Sequence, residues 1–316
     1  MGRRLILFFA LLAVVSVCHA DVVWNPTFGT DPLWNDGNAE VAAYDARDVL
    51  YGVPRASLAV LIVVAEDLSP EKLVKADAPQ PGKSVRVLKL NHVRSIGTGM
   101  YAYEQMLSAF LDAAALRPVK ISMASHDWCG NTFVEWRRDR NVLSVRSYFD
   151  AIGDRDVPFG PGDAVFYDAL PLKLRALDFA RTRSGTIRLI ETLFTIRPQI
   201  SRAAEARLEV RTAGDRYRVE ITRGPKRDAL EFERGYPHRL VLWKRADGGI
   251  LTLRSARRIR YWEKNRPGDE RILDRDARNR AVSSGMSDLT RFAAPPGTLS
   301  GIRGDSPPLG LRIAPD

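Results

Sequence analysis

Cysteine is almost missing from this 316-residue chain: there are two, Cys18 and Cys129, and Cys18 falls within the N-terminal stretch of the first twenty residues. With that stretch removed one thiol remains. An internal disulfide framework is thereby excluded, and the fold has to stand on its hydrophobic core. Histidine is also scarce, four in all. Of these, His92, His126 and His238 follow the N-terminal stretch, and only His126 with Cys129 falls at ligand spacing, so no metal site is expected. A Gly-rich phosphate loop, a nucleophile elbow and a paired-histidine zinc motif are all absent, and no cofactor is expected. No run of five or six like charges occurs, which argues against a polybasic membrane tail. After residue 20 no apolar stretch is long enough to span a bilayer, so no transmembrane span is expected.

What is present begins with the leader. Met1-Gly2-Arg3-Arg4 is a basic head, Leu5 to Val17 an apolar run, and Cys18-His19-Ala20 ends on a small residue before Asp21. This is the layout of a secretory signal peptide cut after Ala20. It places the mature protein in the periplasm or outside the cell, away from ATP and NAD pools. Lipid attachment at Cys18 is the minority alternative, because Val15-Ser16-Val17 lacks the small residue expected before a lipidated cysteine. The formal charge of +10 favours anionic envelope lipids or polysaccharides as partners over nucleic acid. A monomer is expected, with an envelope lipid, a lipoprotein or an anionic glycan as its partner.

Along the chain, strand signals dominate. Asp21 to Gly37 is an irregular lead-in rich in Pro, Gly, Asn and Trp. Tyr44 to Glu66 reads as a hairpin through Gly52-Val53-Pro54, and Val85 to His92 alternates as a half-buried strand does. Met100 to Leu111 fits strand or helix. Val119 to Ala124, Thr132 to Trp136 and Val142 to Phe149 are further strands, and Asp154 to Asp163 is turn-rich. Ala164 to Ala180 carries Leu170, Leu174 and Leu177 at helical spacing, with Leu172 off that stripe, and is the one principal helix. A meander from Thr186 to Trp262 follows, punctuated by Ala213-Gly214-Asp215 and Asp247-Gly248, as tight hairpins require. From Asp269 the chain is highly charged, then rich in Pro and Gly from Ala294, and is expected to fray.

The predicted class is therefore mainly β: a curved antiparallel sheet, half-barrel or open barrel, with one principal helix on its concave side and a signal peptide at the N-terminus. Two packed sheets satisfy the same pattern. The expected domains are a leader over 1–20, a single β-rich domain over 21–285 and a flexible tail over 286–316.

Several words of the sequence carry a resemblance. Trp34-Asn35-Asp36-Gly37-Asn38-Ala39-Glu40, Lys75-Ala76-Asp77, Val87-Leu88-Lys89-Leu90-Asn91, Gly97-Thr98-Gly99-Met100-Tyr101-Ala102-Tyr103, Asp127-Trp128-Cys129-Gly130 and Tyr261-Trp262 with Pro267-Gly268-Asp269-Glu270 resemble an uncharacterised group of exported bacterial proteins. Some members of that group are labelled septum formation inhibitor Maf. Maf proteins are cytoplasmic nucleotide pyrophosphatases with a phosphate-binding start near the N-terminus. Here a leader occupies that place, so no catalytic residue is carried over. With the Tyr51-Gly52-Val53-Pro54 hairpin, the expected Leu170 to Leu177 helix and the Leu240 to Trp243 strand in the same order, the chain is also similar in layout, more faintly, to periplasmic half-barrels related to lipoprotein and lipid carriers, which implies a binding role by analogy.

Four constellations bear chemistry. His126-Asp127-Trp128-Cys129-Gly130-Asn131 offers Cys129 as nucleophile or ligand with His126 as base and Asp127 beside it; the alternative is a tight turn with Cys129 as a packing residue. The carboxylates Glu104, Asp127, Glu135 and Asp168 would matter if a sheet brought them together. Met100, Tyr101, Tyr103, Met106 and Phe110 form either a ligand groove or core. Arg254, Arg257, Arg258 and Arg260 form either a docking strip for anionic groups or a solvated face, and Arg254 and Arg258 are taken as the ligand contacts. The leading expectation is non-catalytic binding of an apolar or amphiphilic ligand in a concave sheet, with arginines at the rim. A hydrolase using Cys129 or carboxylates, and a structural module acting through protein contacts, are the alternatives.

Overall fold

The computed structural model describes residues 22–80 and 82–274. The leader, with Cys18, and the tail over 286–316 lie outside the described residues.

The lead-in forms two 3-10 turns, Phe28–Thr30 and Pro32–Asn35. Strands follow in order: β1 Ala39–Leu50, β2 Val53–Leu68, β3 Val85–Gly97, β4 Ala102–Asp112, β5 Pro118–His126, β6 Asn131–Arg137, β7 Val142–Ser147, β8 Arg155–Pro158 and β9 Val165–Phe166. After the central segment come β10 Ser184–Ile190, β11 Ala204–Ala213, β12 Arg216–Arg223, β13 Lys226–Glu233, β14 Leu240–Lys244 and β15 Ile250–Ile259.

All fifteen belong to one sheet. Its order runs from β8 back to β1, crosses to β15, then runs down to β9. The first and last strands join the two meanders: Glu40 of β1 faces Val63 on one side and Arg258 on the other. Every pairing is antiparallel except β9 with β10, where Val165 and Phe166 run alongside Leu189 and Ile190. The sheet is not closed. Its two ends nevertheless meet through aromatic contacts: Trp136 of β6 and Phe159, just past β8, lie 5.5 and 6.3 Å from Phe166 of β9. The Trp136 indole N–H donates to the Phe159 carbonyl at 2.8 Å. The sheet thus curls almost completely around, as one meander of this length must in order to bury one face.

The interior is filled by the chain itself. Over 164–180 the structure corrects the expected helix. Only Leu170–Lys173 (α1) is α-helical, flanked by 3-10 turns at Tyr167–Ala169 and Leu174–Ala176. Pro171 sits in the first turn, where its missing N–H costs nothing. The chain leaves the helix at Leu177, which is extended. Leu172 is as buried as Leu170 and Leu174, because the segment is a plug surrounded on every side rather than a helix lying on a sheet. One continuous core joins it to inward residues of both meanders, from Leu143 and Val145 of β7 to Leu208 and Val210 of β11.

Two buried cations tie the plug to the wall. Arg175 grips Glu40 through both carboxylate oxygens at 2.8 and 3.0 Å, and its Nε donates to the Pro237 carbonyl at 2.9 Å. Lys173 donates to the Ala115 carbonyl at 2.9 Å, with its ammonium 4.4 Å from the Trp24 ring centre.

The fraying expected from Asp269 does not begin there. Asp269–Leu273 is a 3-10 turn, and apolar Leu273 packs against a small cluster of Ala39, Val41 and Val64 on the convex side.

Candidate functional site

The predicted ligand residues are separated by the pleat. Over β4 successive side chains point to opposite faces. Tyr103, Gln105, Leu107, Ala109 and Leu111 are buried, and Met106 is exposed. Phe110 lies beside Lys89 and Lys120, against the satellite cluster of Leu68, Leu73, Val87 and Val119. Tyr103 therefore faces inward while Met106 and Phe110 face out, and one groove does not hold all five. Met100 and Tyr101 sit in the β3–β4 turn.

The arginines lie elsewhere. Arg254 binds Asp45 at 2.5 and 2.9 Å. Arg258 lies further along the same strand, β15, toward the end away from the β1–β2 turn, gripping Asp36 at 2.6 and 3.0 Å and the Leu33 carbonyl at 2.7 Å, with its guanidinium 5.3 Å from the Trp34 ring centre. That guanidinium holds the Asp36 carboxyl well below the usual carboxylate range.

The His126 to Asn131 stretch is the β5–β6 turn. Asp127 Oδ1 accepts from the Cys129 and Gly130 amides at 2.6 and 3.1 Å, closing an Asx-type turn. His126 Nδ1 lies 2.5 Å from Asn131 Oδ1. Cys129 is exposed at the tip. Gly130 has φ +156 and presses against Tyr148; a Cβ there would come within 2.5 Å of the Tyr148 ring. The four carboxylates also part company. Glu104 accepts from Ser95, Glu135 pairs with Lys120 at 2.8 Å, Asp127 builds the turn and Asp168 lies in the interior.

Two features appear that sequence reasoning had not assembled. The first is an aromatic rim. Because β1 to β8 are consecutive antiparallel neighbours, the β1–β2, β3–β4, β5–β6 and β7–β8 connections all turn at one end. Each carries an exposed apolar side chain: Tyr51 at 64 %, Met100 at 83 %, Trp128 at 73 % and Tyr148 at 67 % exposure. Contacts link the tips. The Tyr51 and Tyr103 hydroxyls share a hydrogen bond, Tyr103 and Tyr101 rings are 5.6 Å apart, and Tyr101 lies 6.1 Å from Trp128.

The second is a polar cavity of about 170 Å³ just inside that end, lined by Asp48, His92, Arg94, Asp168, Trp243 and Arg245 among others. Asp48 Oδ1 accepts from both Arg94 (2.9 Å) and Arg245 (2.6 Å), and Oδ2 accepts from Ser57 at 2.7 Å. Burial alone would raise the Asp48 carboxyl, but the two guanidiniums outweigh it and hold it low. Arg94 also donates to Gln105 and to the Phe194 carbonyl, both at 2.8 Å. His92 is pushed down to about 3 by burial, with Arg94 and Arg245 adding to the effect, so its ring is neutral.

Asp168 accepts from Thr192 at 2.5 Å and from the Leu193 amide at 2.8 Å. Burial pushes its carboxyl up to about 6, against those hydrogen bonds and the more distant Arg94 and Arg245. The sign follows from proton counting. Between the unfolded value near 3.8 and the folded value near 6 the native state holds the proton more tightly, so this group's contribution to stability falls as pH rises through that window. A shift of that size amounts to about 3 kcal/mol. Asp168→Asn is expected to remove this fall, and the difference between wild-type and variant unfolding free energies, followed by urea titration across pH 4–7, checks it. A difference that stays flat with pH contradicts the assignment.

No family model and no curated protein matches the chain. The Maf label thus finds no support in these comparisons. Among solved structures, the chain is similar to a β-barrel-like protein of the domain of unknown function DUF1849 from Brucella abortus. The alignment covers 70 % of this chain and 98 % of that one, at 9 % identity and a TM-score of 0.41. The open, curled sheet is compatible with a non-catalytic binding role. Among the described residues no helix is long and apolar enough to cross a membrane.

Proposed function

We propose that the protein is an exported, non-catalytic binding protein that engages an amphiphilic envelope surface, a lipid headgroup layer, through the aromatic tips of its hairpins. The observation that carries this reading is the row of Tyr51, Tyr101 and Trp128, linked through Tyr103, with Met100 exposed in the same turn as Tyr101 and Tyr148 beside the last turn. Trp and Tyr combine an apolar body with a polar tip and prefer the boundary between hydrocarbon and water. Methionine adapts to irregular apolar surroundings. The apolar part of the expected site thereby moves from the concave face, which the chain's own Leu170, Leu172 and Leu174 occupy, to the rim. The purified protein is accordingly expected to carry no acyl-chain adduct in native mass spectra.

Charge near the tips is mixed, Arg55 and Arg197 against Glu104 and Asp150, so binding rests on the aromatics. The test is sedimentation with phosphatidylcholine vesicles, with and without phosphatidylglycerol. Both compositions are expected to bind. Replacing Met100 and Trp128 together by serine is expected to weaken partitioning about tenfold or more, since each tenfold step needs only 1.4 kcal/mol, less than one buried large apolar side chain supplies. Failure of the wild type to bind either vesicle, or equal binding by the variant, overturns the proposal.

A further inference from the structure

The cavity beneath the rim is built in a way that the rim does not explain. Two residues that line it each carry a buried side-chain nitrogen with no partner among the described residues: His92 Nε2 and Trp243 Nε1. His92 and Trp243 are themselves more than nine-tenths buried, and both line the cavity. Buried polar groups in folded proteins are nearly always satisfied, so such orphans mark a place where something else completes them. An indole N–H only donates. The guanidinium supply points the same way. Arg94 and Arg245 converge on a single oxygen of Asp48, and their Nη groups carry more hydrogens than the bonds made to Asp48 and the Phe194 carbonyl consume. With Asp247 taking only the Arg245 Nε hydrogen, the Trp243 N–H and the unused Nη hydrogens leave donors here for an added acceptor.

The volume admits a small occupant. At about 170 Å³ the space equals roughly six waters by their share of liquid volume. A molecule of two to four carbons with a planar pair of acceptor oxygens suits guanidinium edges and the indole N–H together.

We propose that this cavity is a binding site for a small monocarboxylate, held by the Trp243 indole N–H and the Arg94 and Arg245 guanidiniums. Asp48 and Asp247 in the same lining are paired with Arg94 and Arg245, and Asp168, whose carboxyl burial pushes up, is the group left to take up a proton when an anion enters. The alternative occupant is ordinary water, which would satisfy the same atoms without preferring carboxylates. The site stands on the cavity and its orphaned groups, and is independent of whether the rim meets lipid.

The test uses the folded, full-length protein labelled with ¹⁵N at tryptophan, with the Trp243 indole resonance assigned by its loss in Trp243→Phe. Sodium acetate and sodium pyruvate are titrated against sodium chloride at matched ionic strength. A saturable shift of the Trp243 resonance with acetate or pyruvate, absent with chloride, is the expected result. Carboxylate-induced thermal stabilisation should accompany it and be lost in Trp243→Phe, while the ligand-free variant melts no lower than wild type because an unsatisfied donor has been removed. An equal response to chloride, no saturable shift with either carboxylate, or undiminished stabilisation of Trp243→Phe overturns the proposal. A variant that fails to fold is replaced by Arg94→Lys, which keeps the charge and loses the planar fork; at least a tenfold weaker carboxylate response is expected there, and an unchanged one contradicts the site.

Discussion

Replacing Arg175 by alanine while Glu40 stays in place lowers the free energy of unfolding by about 3–5 kcal/mol, measured from urea titrations at neutral pH. The size follows from what is left behind. Arg175 and Glu40 are both almost wholly buried and joined by two parallel hydrogen bonds. Taking either charge out of water is expensive, and the pair is tolerable only because each partner neutralises the other. Removing Arg175 leaves a carboxylate facing Arg239, whose buried Nε is 3.7 Å away, beyond hydrogen-bond distance, and so a poor substitute. It also leaves the Pro237 carbonyl without its donor. The double variant Arg175→Met with Glu40→Gln removes both charges and is expected to recover a large part of the loss.

The pH dependence of this pair has the opposite sign to that of Asp168. Burial alone would raise Glu40, but Arg175 beside it prevails and holds the carboxyl below its usual range. Its contribution is present above the unfolded value and is lost as pH falls through the lower folded one. Acid destabilisation of the wild type is therefore expected to be muted in the Arg175 variant, where that linkage is gone.

The second large effect belongs to the plug. Leu172→Ala is expected to cost about 2–5 kcal/mol, as much as Leu170→Ala, because both side chains are wholly removed from solvent and neither site can collapse onto water. A one-sided helix on a sheet would make these two substitutions unequal, with the residue off the apolar stripe tolerant. Comparable losses support a plug buried from all sides; a tolerant Leu172 contradicts it.

Much of the sheet was legible because hairpins announce themselves locally. Ala213-Gly214-Asp215 and Asp247-Gly248 mark turns by residue type alone, and the parity of Leu88, Leu90 and His92 is that of a strand. The Met100 to Phe110 run was not decidable, since its apolar residues occur at both odd and even positions; only pairing with β3 and β5 separates Tyr103 from Met106. The Leu170, Leu174 and Leu177 spacing suggested a long one-sided helix because periodicity reports where apolar residues recur, not how many sides are covered. Pro171 and the change to extended backbone at Leu177 shorten it to one turn.

The candidate site was less visible for a different reason. Tyr51, Met100, Trp128 and Tyr148 are distant in sequence, and strand order alone makes them neighbours. A large apolar residue beside Gly52, Gly99 and Gly130 at successive hairpin tips was the available signal. Asp48, Arg94 and Arg245 are likewise scattered. Arg94 shares the inward parity of Leu90, His92 and Ile96, and a charge on the apolar side of a strand marks an interior polar site once the strand is recognised.

Under the proposed function the chain's own leucines occupy the concave space and contact with lipid falls to the hairpin tips. Amide hydrogen exchange with and without phosphatidylcholine vesicles tests it most directly. Residues 167–177 are predicted to keep the slow exchange of the global core whether or not vesicles are present, while amides around Tyr51, Met100, Trp128 and Tyr148 slow on vesicle addition. Faster exchange across 167–177 in the presence of lipid, with the tips unaffected, would mean that lipid displaces the plug and enters the sheet, and would contradict the account.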